Sequence, residues 1–425
     1  MVPSPRVVLA AVSALSLLGA PYALDVWILT LTSLFCGEKK PKPKPKIEDW
    51  PKVSIVLPFY NEGRVAARIL KACLELDYPK DKLEIVVVDD SNDGTTEIAK
   101  GFERRNPGLV KLIHRGSREG FKAGALQRAL EASTGELIAL FDADYVPPRG
   151  FLKKLVPHLL FNDNVAFVQS KWGYLNQETS WVTRGMSVGI DFYDMIHQRG
   201  RAKLGLIPHF SGTGGIFKKK CLEEVGGWQT DTLAEDLDLS IRLHLAGKRY
   251  VYVPEVVCPG EIPPNFLDLM RQQARWAKGF MQCLRKHARS IMKNGRLSLL
   301  KKVEALIYLS SYLTCPLAIL GLIVGLIFSK VFPPTFVLEN LFRNVALTFN
   351  FSMGMLIYSA PLAAMTLTIS TYRSPKVKFK KARYALNLIT IFSLLLVSNS
   401  VAAIQGLLKG KFKFHRTPKF GIIKG

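Results

Sequence analysis

The chain has 425 residues, 48% of them hydrophobic, and carries 58 Lys and Arg against 34 Asp and Glu, a formal net charge of +24. The apolar residues are concentrated in blocks, which argues against a purely soluble protein. The basic residues cluster beside those blocks, which favours a cytoplasmic membrane surface over nucleic acid as the acidic partner. The six cysteines, with no C-x-x-C pair among them, predict neither a zinc site nor a disulfide framework.

The first apolar block, 7–36, contains one charged residue, Asp25. A secretory signal is the alternative interpretation, but the block is long, little positive charge precedes it, and lysines follow it. We therefore predict an uncleaved anchor in which residues 7–24 cross the bilayer and Asp25 lies near the headgroups. The following run, 41–46, alternates proline with lysine, which is typical of a stiff, charged linker.

From residue 49 to about 246, strand and helix patterns alternate. Short apolar runs predict strands at 53–57, 84–88, 110–114, 137–141 and 165–169. Helical patterns lie between them at 64–76, 95–105, 122–133 and 151–161, and resume at 222–225, 235–246 and 265–287. This alternation implies a mostly parallel sheet covered on both faces, with ligands bound beyond the carboxyl ends of the strands.

Three further apolar blocks follow, at 305–328, 345–370 and 385–408. The first two are long enough to cross a bilayer. Polar residues at 398–400 interrupt the third, and a third full crossing would place the basic tail outside, against the positive-inside rule. A re-entrant or bent segment, with the polar break buried in protein, is the alternative, and both arrangements stay open.

These patterns divide the chain into six predicted segments. They are an N-terminal transmembrane anchor at 1–37, a Lys/Pro linker at 38–50, an α/β domain at 51–262, amphipathic interfacial helices at 263–300, transmembrane helices at 301–408 and a basic cytoplasmic tail at 409–425. We expect an integral protein of the cell membrane with its α/β domain in the cytoplasm.

The predicted strand at 137–141 ends in two carboxylates, Asp142 and Asp144. Alternation along an extended chain points both the same way, so they can bind one hard cation beyond the strand end. A solvated turn is the alternative for an isolated pair. The motifs that accompany this pair favour the metal site.

Polar motifs also follow the first two predicted strands, with Tyr60 and Glu62 after one and Asp89 and Asp90 after the other. Their acceptor groups would face the crevice of a doubly wound sheet, where a nucleobase and ribose offer donors. Helix N-capping is the alternative role. Lys122 then enters a helix beside glycines, which is typical of a phosphate contact.

The second half of the domain contributes three more motifs. The glycine-rich stretch containing Gly212 and Thr213 permits close approach of the backbone to a bulky ligand. Adjacent carboxylates, Glu235 and Asp236, lie at a predicted helix start, where complementing the helix dipole is the alternative role. The motif 272–276 places glutamine and arginine on one helix face beside an indole, although a basic helix on the membrane surface has the same pattern.

In this order, the motifs resemble those of membrane-embedded family 2 glycosyltransferases. The similarity is greatest to the cellulose synthase-like and mannan synthase-like group, with hyaluronan synthase and ceramide glucosyltransferase as relatives. The motif set covers about 53–282, and the tail at 412–419 resembles an Arg-Thr-Pro-Lys element of that group. Two positions depart from the pattern: Ala234 replaces a Thr often found before Glu-Asp, and Lys171 replaces a frequent Arg.

The resemblance implies a GT-A (Rossmann-like) fold and an inverting transfer from a nucleotide-activated sugar. Asp142 and Asp144 would bind that donor through Mg²⁺ or Mn²⁺, and Asp236, beside Glu235, would be the general base. The residues implied for the nucleotide-sugar are Tyr60, Glu62, Asp89, Asp90, Lys122 and Asp142. Those implied for the diphosphate and the acceptor end are Gln272, Arg275, Trp276, Gly212 and Thr213.

The favoured hypothesis is an enzyme that polymerises a β-linked polysaccharide from a UDP- or GDP-sugar and passes the chain through its membrane spans. The alternative enzyme adds one sugar to a membrane lipid. A binding or channel protein that lost catalysis is a third possibility, but every expected acid and the arginine are present. We expect membrane lipids but no nucleic acid as partners, and we interpret His209 as a structural or loop residue.

Overall fold

The computed structural model describes residues 4–35, 47–341, 343–408 and 417–421. The linker run 41–46 and most of the basic tail lie outside these ranges, so the predictions made for them concern residues that the structure does not describe.

An apolar helix precedes an alternation of strands and helices. In chain order these are α1 (Pro5–Phe35), β1 (Val53–Phe59), α2 (Ala66–Leu74), β2 (Leu83–Asp89), α3 (Thr95–Arg105), β3 (Val110–His114), α4 (Phe121–Ala132), β4 (Leu137–Leu140), α5 (Phe151–Leu160), β5 (Val165–Tyr174) and α6 (Trp181–Phe192). A π-helical turn, Tyr193–Gln198, continues α6.

The second half of the chain is mainly helical. Its elements are α7 (Arg199–Leu204), β6 (Gly215–Lys218), α8 (Lys219–Glu224), α9 (Glu235–Leu245), β7 (Arg249–Gly260), α10 (Phe266–Lys293), α11 (Leu299–Leu309), α12 (Thr314–Val331), α13 (Pro334–Asn340), α14 (Val345–Ser370) and α15 (Pro375–Leu407).

In the part of the chain that the structure describes, seven strands form one mixed sheet in the order β3-β2-β1-β4-β6-β5-β7. β6 runs antiparallel to both β4 and β5, whereas the remaining pairs are parallel. All five predicted strands are present, and the α/β prediction is confirmed. β6 and β7 were not predicted, because β6 has four residues, too few to show a period, and β7 contains Pro254 and Pro259, which in a sequence indicate turns.

Helices cover both faces of the sheet, as alternation along the strands requires. Ile55 of β1 packs in the layer formed by α2, α3 and α5, whereas its neighbour Val56 packs in the layer formed by α4, α8 and α9. Each fully buried aliphatic side chain stabilises the folded state by roughly 1.5–3 kcal/mol relative to an exposed one. These two layers hold the strands, and therefore the loops at their carboxyl ends, in a fixed arrangement.

Among the described residues, four helices are long and apolar enough to cross a membrane, at 5–35, 311–331, 345–370 and 375–407. α1 packs against α14, where Asn350 Nδ2 donates to Ser13 Oγ at 3.1 Å, and Tyr22 of α1 bonds Ser310 beside α12 at 3.1 Å. The last helix, α15, is continuous through its polar residues, and Asn399 and Ser400 are buried. The polar break is therefore buried in protein, but it does not interrupt the helix.

Candidate functional site

One cavity of about 560 Å³ begins at the carboxyl ends of β1, β2 and β4 and extends to α6, α10 and α12. We call the part around Tyr60, Asp90 and Asp142 the sheet end, and the part around Trp172 and His209 the helix end. Twelve of the predicted site residues line the cavity. They are Tyr60, Glu62, Asp90, Lys122, Asp142, Asp144, Gly212, Glu235, Asp236, Gln272, Arg275 and Trp276.

Two predicted site residues do not line this cavity. Asp89 is fully buried, and its carboxylate accepts hydrogen bonds from Ser91 N at 3.1 Å and from Thr96 Oγ1 at 2.6 Å. Thr213 is also buried, and its hydroxyl accepts from Asp142 N at 3.0 Å. Both side chains therefore hold the loops that carry the site, and the ligand contacts predicted for Asp89 and Thr213 stay predictions.

At the sheet end, charged side chains are arranged around an aromatic ring. Arg115 donates to both oxygens of Asp90, at 2.6 and 2.5 Å. The guanidinium of Arg118 lies 3.3 Å from the centre of the Tyr60 ring, a cation–π contact. Asn61 adopts a left-handed φ of 56° and accepts from Asn92 N at 3.0 Å, which joins the loops after β1 and β2.

The two carboxylates after β4 differ in what they contact. Asp142 lies 2.7 Å from Lys122 Nζ. Asp144 is 1% exposed, and its Oδ2 accepts from Lys419 Nζ at 2.7 Å and Glu261 N at 3.2 Å, while its buried Oδ1 has no hydrogen-bond partner among the described residues. An unsatisfied buried carboxylate oxygen costs free energy unless a donor or cation meets it. The pair therefore fits a divalent cation.

That cation would need further ligands from its substrate. Within residues 4–35, 47–341, 343–408 and 417–421, no group of three or more His, Cys, Asp and Glu side chains is placed to hold a metal. Mg²⁺ in particular is commonly held by one or two carboxylates together with substrate phosphates, which matches a site with two aspartates.

Lys122 is the central cation of the site. Its Nζ lies 2.7 Å from Asp142 Oδ1 and 3.5 Å from Glu235 Oε1, and it donates to Gly212 O at 3.0 Å. Burial alone would lower the pKa of this amine, but the carboxylates of Asp142 and Glu235 outweigh burial and raise its pKa. Lys122 therefore stays protonated and links the loop after β4 and the loop before β6 to the start of α9.

Glu235 and Asp236 form the first turn of α9. Burial raises the pKa of both carboxyls, and the nearby cations Lys122 and Arg275 oppose that rise. Asp236 Oδ1 accepts from Leu237 N at 2.7 Å. Gly212, at a φ of +77°, faces the other oxygen, and a Cβ there would lie 2.9 Å from Asp236 Oδ2. Only glycine leaves this carboxylate its space.

α10 brings Gln272, Arg275 and Trp276 to the same cavity. The helix begins with Asn265, whose side chain accepts from Asp268 N, as an N-cap does. It contacts the loop before α9 so closely that a Cβ on Gly279 would lie 2.6 Å from the Cβ of Ala234. The small side chain at 234, where a threonine was expected, is part of this close packing.

The helix end is lined by aromatic residues that the sequence did not single out as a group. The rings of Trp172 and Trp276 lie 6.3 Å apart, and Tyr193, in the π-helical turn, lies 6.0 Å from Trp172. His209 Nδ1 lies 3.0 Å from the hydroxyl of Tyr193 and 2.7 Å from that of Tyr308. Burial lowers the pKa of His209 to about 3, so this ring is neutral.

Two lysines noted in the sequence, Lys171 and Lys419, differ in whether they reach the cavity. Lys171 does not line the cavity; it forms an ion pair with Asp194 of the π-helical turn at 2.8 Å. Lys419, from the tail motif, lines the cavity beside Asp144. Its neighbour Phe420 donates its backbone N–H to Glu261 at 2.9 Å, which anchors residues 417–421 at the site.

Residues 51–279 match the family model described as "Glycosyltransferase like family 2". "Probable glucomannan 4-beta-mannosyltransferase 7" of Oryza sativa subsp. japonica is 32% identical over 335 residues, which are 77% of this chain and 55% of that protein. "Probable glucomannan 4-beta-mannosyltransferase 14" of Arabidopsis thaliana is 35% identical over 264 residues, or 60% and 49% of the two chains. The chain thus spans about half the length of these curated relatives.

Among solved structures, "Mannosyltransferase PcManGT from Pyrobaculum calidifontis in complex with GDP-Man and Mn2+" superposes with a TM-score of 0.60 at 22% identity, covering 93% of this chain and 99% of that one. This likeness concerns the fold, and it confirms the expected GT-A-like mixed sheet. Because the family model matches more than half of the residues, the chain belongs to the glycosyltransferase-like family 2.

Proposed function

We propose that this protein transfers a sugar, in one inverting displacement, from a nucleotide-sugar donor to a hydroxyl of a growing β-linked polysaccharide. The observation that carries the proposal is convergence: Asp144, Asp236 and Arg275 come from distant parts of the chain and line one cavity. The relatives named mannosyltransferases, and the GDP-Man in the similar solved structure, support GDP-mannose as the first donor to test.

Asp236 is the proposed general base. Because burial raises its pKa, its carboxylate is a stronger base than a solvated one, while Lys122 and Arg275 oppose that rise. It would take the proton from the attacking hydroxyl as the new bond forms. General base catalysis of this kind contributes roughly 10²–10⁴-fold. A single displacement needs no covalent nucleophile, so Asp236 and the acceptor hydroxyl suffice.

The departing diphosphate gains negative charge, and cations around it stabilise that charge. Asp142 and Asp144 would hold Mg²⁺ or Mn²⁺, which supplies charge neutralisation at the donor phosphates. Arg275 would contact the diphosphate from α10, and Lys122 would hold Asp142 in place at 2.7 Å. Tyr60, Glu62 and Asp90 would hold the nucleoside at the sheet end.

The helix end supports a saccharide as the acceptor. Trp172, Trp276 and Tyr193 offer ring faces, on which the C–H faces of sugars pack, and His197 and His209 are neutral because burial lowers the pKa of each to about 3. A phosphorylated lipid would require cations here instead.

A membrane lipid acceptor remains a second candidate for one reason. The cavity reaches Thr314 and Cys315 of α12 and Phe392 of α15, which belong to helices apolar enough for a bilayer. A lipid-borne acceptor could approach the site along these helices. In that case a single transfer would replace polymerisation.

A donor screen tests the proposal. Purified protein is incubated with labelled GDP-mannose, GDP-glucose and UDP-sugars, in the presence of Mn²⁺ or Mg²⁺ and after chelation. Released nucleoside diphosphate reports turnover, and product size and organic extraction report the acceptor. We expect a metal-dependent polymer. Label confined to extractable lipid would favour the second candidate, and no turnover with any donor would contradict both.

A further inference from the structure

Arg118, in the loop between β3 and α4, lines the cavity at its sheet end, against the ring of Tyr60. We propose that its guanidinium recognises the base of the donor nucleotide. It donates to two adjacent acceptors of guanine, O6 and N7, and so selects guanine over uracil. The inference rests on the proposed function, because it assigns the base specificity of that same donor site.

Two residues with left-handed backbone shape the loop that carries Arg118. Gly120 ends the loop with a φ of +68°, and Phe121 begins α4 with a φ of 51°. A positive φ is strained for an aromatic residue, and such strain is concentrated at functional sites. Gly120 packs so closely that a Cβ there would lie 2.4 Å from Thr230 Cγ2. The surroundings therefore hold the loop in one conformation.

Arg115 joins the same loop to Asp90. Its Nη1 donates to Glu119 O at 3.0 Å and its Nη2 to Phe121 O at 3.1 Å. The same guanidinium donates to both carboxylate oxygens of Asp90. Because a carboxylate offers about four lone-pair sites, Asp90 can still accept hydrogen bonds from a base. One arginine thus fixes this acidic group relative to Arg118, three residues farther along the chain.

The guanidinium of Arg118 is stacked on rings but has no polar partner. It lies 3.3 Å from the centre of the Tyr60 ring and 5.3 Å from that of Phe121. Within the described part of the chain its side chain forms no hydrogen bond or ion pair, and its Nε is buried. A buried donor without an acceptor costs free energy unless a ligand supplies one. Arg118 is therefore held in place with its donors unused.

The position of Arg118 favours the base over the phosphates as its ligand. Tyr60 and Asp90 follow the neighbouring strands β1 and β2, in the part of the crevice proposed for the nucleoside. Asp142 follows β4, on the other side of β1, and Lys122 is paired with it there. The groups proposed to act at the phosphates thus lie across β1. A guanidinium stacked on Tyr60 directs its donors within its own plane, which suits the edge of a flat ligand.

Guanine is the base that fits both Arg118 and Asp90. Its O6 and N7 are adjacent acceptors, to which an arginine can donate two hydrogen bonds. Its N1–H and N2 amino groups are donors on the neighbouring edge, from which the Asp90 carboxylate can accept. Uracil, like thymine, offers only O4 to Arg118, and adenine places an amino donor beside N7. A cation and an anion held together by Arg115 therefore predict a guanine nucleotide.

Removing the arginine and the N7 acceptor, singly and together, tests the proposal. The full chain in nanodiscs, as wild type and as Arg118→Met, is titrated calorimetrically with GDP, 7-deaza-GDP and UDP in the presence of Mg²⁺. We expect Arg118→Met to bind GDP roughly tenfold to a hundredfold more weakly. Wild type should bind 7-deaza-GDP roughly fivefold more weakly than GDP, whereas the variant should bind the two alike. UDP affinity should fall less than GDP affinity.

Two further variants complete the experiment. Arg118→Lys keeps the charge but loses the planar fork, so it should also lower the preference for GDP over UDP, and it provides the test if Arg118→Met does not fold. Arg128→Met, in an exposed pair with Glu131 on α4, is the matched control and should bind all three nucleotides as wild type does.

The outcomes separate this inference from the proposed function. An equal loss of GDP and UDP affinity in Arg118→Met would identify a phosphate contact and overturn the inference. The same 7-deaza-GDP penalty in wild type and variant would overturn it as well. Both results leave a nucleotide-sugar donor in place. If the wild type binds none of the three nucleotides, the proposed function itself is contradicted, and the inference with it.

Discussion

The two ends of the cavity differ in the kind of side chain that lines them. At the sheet end, opposite charges are paired at short range, as in Asp90 with Arg115 and Asp142 with Lys122. At the helix end, Trp172 and Trp276 contribute ring faces and the nearby histidines are neutral. An anionic donor and an uncharged acceptor need these two environments. If the proposed function is correct, charge selects the donor, whereas shape and ring contacts select the acceptor.

The largest effect is expected where the two ends meet. Asp236→Asn removes the proposed base but keeps the shape and the hydrogen bond from Leu237. We expect transfer to fall by roughly 10²–10⁴-fold, with nucleotide affinity changed little, because the sheet end is untouched. Turnover and calorimetric titration with GDP and UDP measure the two quantities. Asp231→Asn, an exposed position, is the matched control, and equal activity in both variants would remove Asp236 from the base role.

Lys122→Met tests the electrostatic link between the ends. Lys122 opposes the rise that burial causes in the pKa of Asp236, so its removal should raise that pKa further. Because the base acts when ionised, the acid limb of kcat/KM should move to higher pH. A pH–rate profile measures the shift, and Lys153→Met, in an exposed pair with Asp77, is the control. An unmoved limb would contradict the assignment of that limb to Asp236.

Asp89 and Asp90, the neighbouring aspartates at the end of β2, are expected to differ: one supports folding and the other supports nucleotide binding. Asp90→Asn weakens the pair with Arg115, and we expect nucleotide affinity to fall about tenfold, or roughly 1.4 kcal/mol. Asp89→Asn disturbs a buried carboxylate outside the cavity. We therefore expect the free energy of unfolding to fall by about 1–3 kcal/mol, which lowers the thermal midpoint, and nucleotide affinity to stay unchanged. Titration and thermal unfolding distinguish them. The reverse pattern would return Asp89 to the nucleotide site.

The smallest effect is expected at Lys419, which places an ammonium against Asp144. Lys419→Met removes a positive charge that repels a divalent cation at this carboxylate. We expect Mn²⁺ to bind roughly fivefold more tightly, about 1 kcal/mol, in the absence of donor. Electron paramagnetic resonance of free Mn²⁺ measures this. Lys100→Met, an exposed position on α3, should leave the affinity unchanged, and weaker binding in Lys419→Met would show that the lysine supports the cation site.

The sequence could indicate which side chains meet at the sheet end for a physical reason. Tyr60, Asp90 and Asp142 each follow a strand of parallel sheet, and adjacent parallel strands bring their carboxyl ends together whatever the rest of the chain does. Asp89, which was also predicted to bind the nucleotide, is the last residue of β2 and does not line the cavity. Its side chain turns inward to Thr96, whereas that of Asp90 faces the cavity.

The helix end could not be predicted in the same way. Tyr193 lines the cavity because a π-helical turn rotates it there, and His209 is placed by contacts with Tyr193 and Tyr308, 99 residues farther along the chain. No local pattern encodes such contacts. Hydropathy likewise indicated that α15 is apolar without indicating which surface it covers, since that depends on packing against α6 and α10.

α10 contacts both the cavity and the apolar helix α15, and this affects how the protein should be handled. The same helix carries Arg275 and Trp276 toward the cavity and holds the end of α15 through Arg285. Detergent that replaces lipid around α15 therefore acts on the helix that we propose supports the acceptor. We expect solubilised protein to keep its affinity for nucleotide while it loses acceptor use, so reconstitution in nanodiscs is the appropriate state for kinetic work.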